Sequence, residues 1–295
     1  MLDVRRLRLL RELAHLGTIA AVAEALSFSP SAVSQQLSVL EKEAGVPLLE
    51  RTGRRVALTP AGRNLVRHAE SVLALLEQAG AELAHAKRGL AGPLRIGTYP
   101  SAARAIIPAV LGELAAWHPG LEPMVTEVDP AVVGAALRAG ELDVALVHEY
   151  DLVPTDAEPG LATTRPVFTE PMYLAARTLG TIAEQHGAPW IMSPPGTLCH
   201  AMALRACESA GFAPRIRHQI DDFTTVLALV AAGQGVALVP HLGTAQPPPG
   251  VVLTRLPMYR RTRAAFRAGA GSHPAISAFV SALHTAVPPG LGTGS

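Results

Sequence analysis

Lysine is almost missing from this chain of 295 residues: Lys42 and Lys87 stand against 23 arginines. Set in an alanine-rich sequence, that skew points to GC-rich coding and carries no functional weight. Cysteine is as scarce, and Cys199 and Cys207 alone exclude a disulfide framework. Long apolar runs are missing too. The longest weakly polar stretch, 226–240, is broken by Gly233, Gln234 and Gly235 and falls short of the roughly 18–20 residues a bilayer span needs. Asp3, Arg5, Arg6, Arg8 and Arg11 interrupt the first leucines, which argues against a secretory signal and with it a secreted solute-binding protein. The expectation is a cytoplasmic chain with no membrane partner. Enzyme signatures are also wanting. There is no Gly-x-Ser-x-Gly elbow, and Gly233-Gln-Gly235 lacks the third glycine of a dinucleotide fingerprint. The 11 histidines show no metal-ligand spacing. No catalytic residue, metal or cofactor is expected.

What is present fits two or three domains, with 49% hydrophobic residues to fill their cores. The near-neutral total hides an asymmetry: residues 1–89 carry a net +3 and the remainder −2. A basic front on an acidic back suits a nucleic-acid-binding head on a neutral sensor.

Apolar spacing predicts a helix over 2–16, stopped by Gly17. A second follows over 19–26 with Thr18 as its cap. A third begins at Ser29 with Pro30 in its first position and runs to about Ala44, before Gly45. Residues 46–59 read as a small hairpin around Arg51-Thr52-Gly53-Arg54-Arg55. Thr59-Pro60 then opens a helix to about Arg88, whose continuous apolar seam calls for a partner helix. Gly92-Pro93 reads as a domain boundary.

Beyond it, strands and helices alternate: strands at 94–97, 123–128, 144–147, 173–176, 190–192, 215–220 and 236–239; helices at 101–118 with a restart at Pro108, and at 130–139, 198–210 and 223–232. Alternation of this kind predicts α/β layers with mainly parallel sheets. The tail 288–295 reads as disordered. The fold class is α+β multidomain.

Two short helices, a tight turn and a hairpin make a winged helix-turn-helix. Val33, Leu37 and Leu40 form one face of the third helix. Ser31, Ser34, Gln35 and Ser38 form the other, short and uncharged enough to lie close in the major groove of duplex DNA. Gln35 can both donate to and accept from an adenine edge. Thr18, Ser29 and Ser31, near helix starts, suit phosphate oxygens, with Pro30 beside them at the DNA-facing end of the third helix. Arg51, Arg54 and Arg55 on the hairpin suit phosphates or the minor groove.

The run from Ala20 to Gly62 resembles the signature of LysR-type transcriptional regulators. The resemblance is carried by Ala23-Glu24 with Leu26, Ser29, Ala32-Val33-Ser34, Leu40-Glu41, Gly45-Val46 with Leu48, Glu50-Arg51, Gly53-Arg54-Arg55, and Leu58-Thr59 with Ala61-Gly62. Val22 and Leu49 depart from the usual Ala and Phe. Pro30-Ser31 and Gln35 depart at groups that read bases, so an operator cannot be borrowed from relatives. Weaker landmarks reach about residue 285: 94–97, Ile107-Pro108, 117–119, 140–147 and 230–240.

The resemblance implies a winged helix-turn-helix over 2–59, a linker and dimerisation helix over 60–89, and an effector-binding domain over 93–287. That domain would have the type-2 periplasmic-binding-protein fold, with one subdomain from 93–164 and 264–287 and another from 165–263. It further implies promoter DNA, a homodimer or homotetramer, a small-molecule effector in the cleft between subdomains, and RNA polymerase as partners. Thr98, Tyr99 and Ser101 on one loop, Ser193 and Thr197 on another, His148 at a strand end and Phe223 at a helix start are the candidate effector-binding residues. The two loops open helices, which favours an anionic group on the effector. Cys199 and Cys207 lie where peroxide-sensing relatives carry redox cysteines, the alternative reading. Eight residues along one helix separate α-carbons by about 12 Å, beyond disulfide reach unless that helix melts.

Overall fold

The fold is described from a computed structural model, covering residues 1–52, 55–85, 90–154, 165–288 and 291–293. Three helices open the chain: α1 (Val4–Leu16), α2 (Ile19–Ala25) and α3 (Pro30–Ala44). Each start is capped by a side chain, Thr18 and Ser29 as expected and Asp3 in addition. Asp3 accepts from the amides of Arg5 and Arg6, Thr18 from Ala21, and Ser29 from Ala32. Gly17 and Gly45 close α1 and α3 in the left-handed conformation. A hairpin, β1 (Leu49–Thr52) and β2 (Arg55–Leu58), pairs antiparallel before the long helix α4 (Pro60–His85). Leu10, Val22, Val33, Leu37, Leu40 and Leu48 form the core of this head, and Ala69 of α4 packs into it.

Strand β3 (Ala91–Thr98) follows, then α5 (Pro100–Ala105), α6 (Ile107–Trp117), β4 (Gly120–Glu127), α7 (Pro130–Ala139) and β5 (Val144–Tyr150). The expected boundary at Gly92-Pro93 is therefore strand. Pro93 fits there because β5 pairs with β3 only at Ile96 and Gly97, so the side on which Pro93 lacks a donor is open. The helical stretch breaks at Ile106, and Pro108 stands in the first turn of α6.

The remaining elements are β6 (Arg165–Ala176), β7 (Pro189–Met192), α8 (Leu198–Ser209), β8 (Arg215–Gln219), α9 (Phe223–Ala231), β9 (Ala237–Pro240), β10 (Val252–Phe266), α10 (Pro274–Ala286) and β11 (Gly292–Thr293). The main sheet runs β11–β6–β10–β5–β3–β4, with β9 also on β6. Only its β3–β4 and β3–β5 pairings are parallel. The expectation of mainly parallel sheets fails because β6 and β10, two long crossing strands, pair antiparallel with each other and with β5, β9 and β11. The tail is not wholly loose either: Leu291 packs on the core beside Val287, and β11 pairs with Thr169 and Phe168.

Hydrophobic side chains on β6 change core along the strand. Val167 and Phe168 join the cluster of Ile96, Leu114, Phe266 and Phe279, whereas Met172 and Leu174 join Trp190, Met202 and Cys207. Two lobes thus lie at either end of β6 and β10, with a cleft between them.

The front lobe is locked to the head. Arg8 of α1 donates 2.9 Å bonds to the carbonyls of Arg138 and Ala139, the last residues of α7. Glu12, 2% exposed, accepts from both Arg11 and Arg138. Arg267 pairs with Glu77 of α4 at 2.9 Å.

Candidate functional site

Packing decides which face of α3 is free. Val33, Leu37 and Leu40 sink into the head core, leaving Ser31, Gln35 and Ser38 exposed and Ser34 half-buried. Those four recur at helical spacing, so one uncharged stripe of hydroxyls and an amide faces outward. Ser29 lies at its base, its hydroxyl 3.0 Å from that of Ser31. Pro30 and Thr18 are exposed at the starts of α3 and α2. The turn joining the two helices puts Ser27 at φ 56, the left-handed region. Arg54 lies outside the described residues, as do the side chains of Arg51 and Arg55; the backbone pairing Thr52–Arg55 confirms the hairpin that carries them.

The cleft between the lobes holds a cavity of about 190 Å³. Of the expected effector residues, Tyr99, Ser101, His148, Thr197 and Phe223 line it, as does Cys199. Thr98 and Ser193 do not. Thr98 is fully buried at the end of β3, and Ser193 stands behind Cys199 with its carbonyl accepting from His200 Nδ1 at 2.7 Å. Alternation explains Thr98: the next residue, Tyr99, takes the cleft side.

Arg260, 1% exposed on β10, is the centre of the floor. Its Nε and Nη2 both lie 2.7 Å from Glu170 Oε1, and Nη2 donates to Ser101 Oγ at 2.9 Å. The other carboxylate oxygen of Glu170 accepts from the Leu242 amide at 2.7 Å. The guanidinium lies over the Tyr99 ring at 4.8 Å. Burial alone would depress its pKa; the Glu170 carboxylate reverses that and holds it above the usual value. The Tyr99 hydroxyl is 2.6 Å from Thr262 Oγ1, and burial pushes its pKa up to about 12.

His148 stands edge-on between Tyr99 and Tyr150, at centroid distances of 4.7 and 5.3 Å. Burial, then the Arg260 charge, holds it well below the ordinary histidine value, so it is neutral. The Tyr150 hydroxyl faces Cys199 and Arg260 without an aligned hydrogen bond to either, and His148 Nδ1 also lacks a partner. The mouth carries Glu127 and Asp129 from the front lobe, Asp221 and Asp222 from the other, and Arg104 bridging to Asp222 at 3.6 Å.

Burial pushes the Cys199 thiol up, although the hydroxyls of Ser193 and Tyr150 face its sulfur. Cys207 is fully buried in the far core, its thiol raised to about 12. Both sit on the unbroken helix α8, so their spacing forbids a bond between them in this state. Arg260, Tyr150 and the acidic mouth went unread in the sequence. Tyr150 shares a strand face with His148 two residues away, a signal that was present. Among the described residues, no group of three or more His, Cys, Asp or Glu could hold a metal ion.

Comparison with known proteins converges on one family. Residues 4–63 match the bacterial regulatory helix-turn-helix of the lysR family, and 87–288 match the LysR substrate binding domain. A probable hydrogen peroxide-inducible genes activator of Streptomyces viridosporus is 34% identical over 260 residues, 81% of this chain and 80% of that protein. The transcriptional dual regulator GltC of Bacillus subtilis is 27% identical over 256 residues, 84% of each. A peroxide-bound, cysteine-to-serine mutant of Corynebacterium glutamicum OxyR is 26% identical and covers 97% of this chain and 92% of its own, with TM-score 0.58. CbnR, a LysR family transcriptional regulator, is 25% identical with TM-score 0.54, covering 96% of this chain and 100% of its own.

Proposed function

The chain belongs to the LysR family of DNA-binding transcriptional regulators, and from that premise we propose that it reads duplex promoter DNA through α3 and changes promoter output when a small molecule fills the cleft. The observation that carries the DNA half is the exposed, uncharged stripe Ser31, Ser34, Gln35 and Ser38 on a helix whose opposite face is clamped in the core. Thr18, Ser29 and Ser31 contact the phosphate backbone, Pro30 lies beside the bases read, and Arg51, Arg54 and Arg55 add phosphate or minor-groove contacts. The effector half rests on the cavity and its unpartnered Tyr150 hydroxyl. Tyr99, Ser101, His148, Thr197 and Phe223 line the effector site in this reading.

The working units are a head over 2–59, a linker helix over 60–89 and an effector-binding domain over 93–287, with 93–164 and 264–287 in one lobe and 165–263 in the other. Two copies pair through α4, whose Leu75, Leu76 and Leu83 are 65, 51 and 70% exposed, giving a dimer or a tetramer. Occupation of the cleft shifts the lobes, the spacing of two heads and the contact with RNA polymerase. No helix among the described residues is long and apolar enough to cross a membrane, and the reading has the regulator at work in the cytoplasm, without cofactor or catalysis.

Footprinting and titration on a selected operator test this. Gln35→Ala should relax preference at one base pair by about 1–3 kcal/mol; equal loss on random duplex would make Gln35 a phosphate contact. Replacing Arg54 and Arg55 by Ala should weaken all duplexes and flatten the salt dependence.

A second reading, peroxide response through Cys199, is favoured by relatives named hydrogen peroxide-inducible genes activators. The raised thiol and the distance to Cys207 oppose it. Peroxide treatment of wild type and Cys199→Ser decides: a promoter response lost only in the variant establishes the redox reading.

A further inference from the structure

The charge of the cleft restricts the effector's chemistry beyond its being a small molecule. The floor is balanced, since Arg260 is matched by Glu170 and His148 is neutral. The mouth is not. Glu127, Asp129, Asp221 and Asp222 face Arg104 alone. Two of these carboxylates are already engaged: Asp129 caps α7, and Asp222 caps α9 and meets Arg104. The helix starts of α7 and α9 therefore hold their own anions and add no attraction for an anionic effector. The side chains of Glu127 and Asp221, one from each lobe, make no hydrogen bond or ion pair with any described residue. Deeper in, Tyr150 is 4% exposed, its hydroxyl buried and unpartnered, in the wall of the same cavity. A buried hydroxyl left without a partner is destabilising, and a ligand that meets it recovers that cost.

We propose that the effector is a small organic cation: a protonated amine lodged at the mouth among Glu127 and Asp221, carrying a hydroxyl or carbonyl oxygen that reaches Tyr150 and Ser101 on the floor. An ammonium group brings three donors to carboxylates that lie on opposite lobes, so its binding favours the closed arrangement of the cleft. The proposal rests on the cleft being the effector site.

The test is thermal-shift titration and backbone hydrogen exchange on the full-length protein with two matched probe sets. One holds amino alcohols and amino-acid amides; the other holds the same skeletons as hydroxy acids without the amine. The expected result is stabilisation by members of the amine set alone, with protection from exchange in β5 and at the start of α8. Affinity should weaken at least tenfold in Glu127→Gln/Asp221→Asn and also in Tyr150→Phe, and the amine's affinity should fall with added salt. Stabilisation by the acids, with the same protection pattern and tighter binding to the doubly neutralised variant, overturns the charge class and leaves the cleft as effector site. Stabilisation with protection elsewhere, unchanged in Tyr150→Phe, overturns both. Silence of both sets overturns the cation.

Discussion

His148 shows how a single side chain ties the cleft to solution conditions. In the folded chain it is wedged between two tyrosine rings, held neutral by burial and by Arg260. In the unfolded chain it titrates near the ordinary value of 6.5. Below that pH the unfolded state binds one more proton than the folded state. Its contribution is therefore fully present above about pH 6.5 and shrinks as pH falls, by up to about 1.4 kcal/mol per unit. Denaturation of wild type and His148→Asn from pH 7.5 to 5 should give curves that diverge below 6.5, the variant having the flatter slope; parallel curves would mean the ring is solvated. Arg260 makes a different point at the same scale. It belongs to a strand with Arg255, Arg261 and Arg263, and in sequence it reads as one more surface arginine. Burial comes from its neighbours: β10 lies between β5 and β6, and Glu170 of β6 supplies the counter-charge. Replacing Glu170 by Ala leaves the Arg260 charge buried without its carboxylate and should cost about 3–5 kcal/mol, measured by urea unfolding; a loss under 1 kcal/mol would mean water reaches the pair.

Two glycines on α4 separate local propensity from packing at the scale of an element. A methyl group at Gly80 would meet nothing within 4 Å, whereas one at Gly62 would lie 2.2 Å from the Leu48 carbonyl oxygen. Gly80→Ala should therefore stabilise by up to about 1 kcal/mol, the helix-propensity gain. Gly62→Ala should destabilise the head by about 1–3 kcal/mol because the hairpin must shift. Chemical denaturation of both variants checks the pair, and the same sign for both would refute the close approach of α4 to Leu48. The elements legible in the sequence were those with local causes: α1, α2, α3, α7, α8 and α9 each carry a capping side chain at the start, and their ends fell within a residue or two of expectation. The elements missed were α10, β11, β10 and the first half of β6. Alternation fails on β10 because it serves two lobes, changing register around Leu256, Pro257 and Met258, and its pattern has meaning only beside β6. Half of the cleft was lost with it, since Arg260 stands on that strand.

At the scale of the molecule, α7 is the element that touches both functional ends. Its start, Asp129 and Pro130, lines the cleft, and its last two carbonyls are gripped by Arg8 of the head. Ten residues make a rod of about 15 Å, short enough for a tilt at the cleft to be felt at α1. The grip is reinforced where Gly269, at φ +86, lies against α4 so closely that a Cβ would be 2.0 Å from the Ala74 carbonyl oxygen. Neither the left-handed conformation nor the contact admits a side chain. Gly269→Ala should therefore loosen the front lobe from α4 while each lobe and the head keep their own cores. Glu12→Ala should act on the same joint from the other side, because Arg11 and Arg138 lose the carboxylate they share. Hydrogen exchange should rise at the end of α7 and the start of α1 in both variants. Small-angle scattering should show a larger radius, and affinity for DNA should change less than the effector's influence on it. Unchanged exchange at α1 in both variants would show that the head is held by the linker helix alone, and α7 would lose its role as the connection between ligand and DNA.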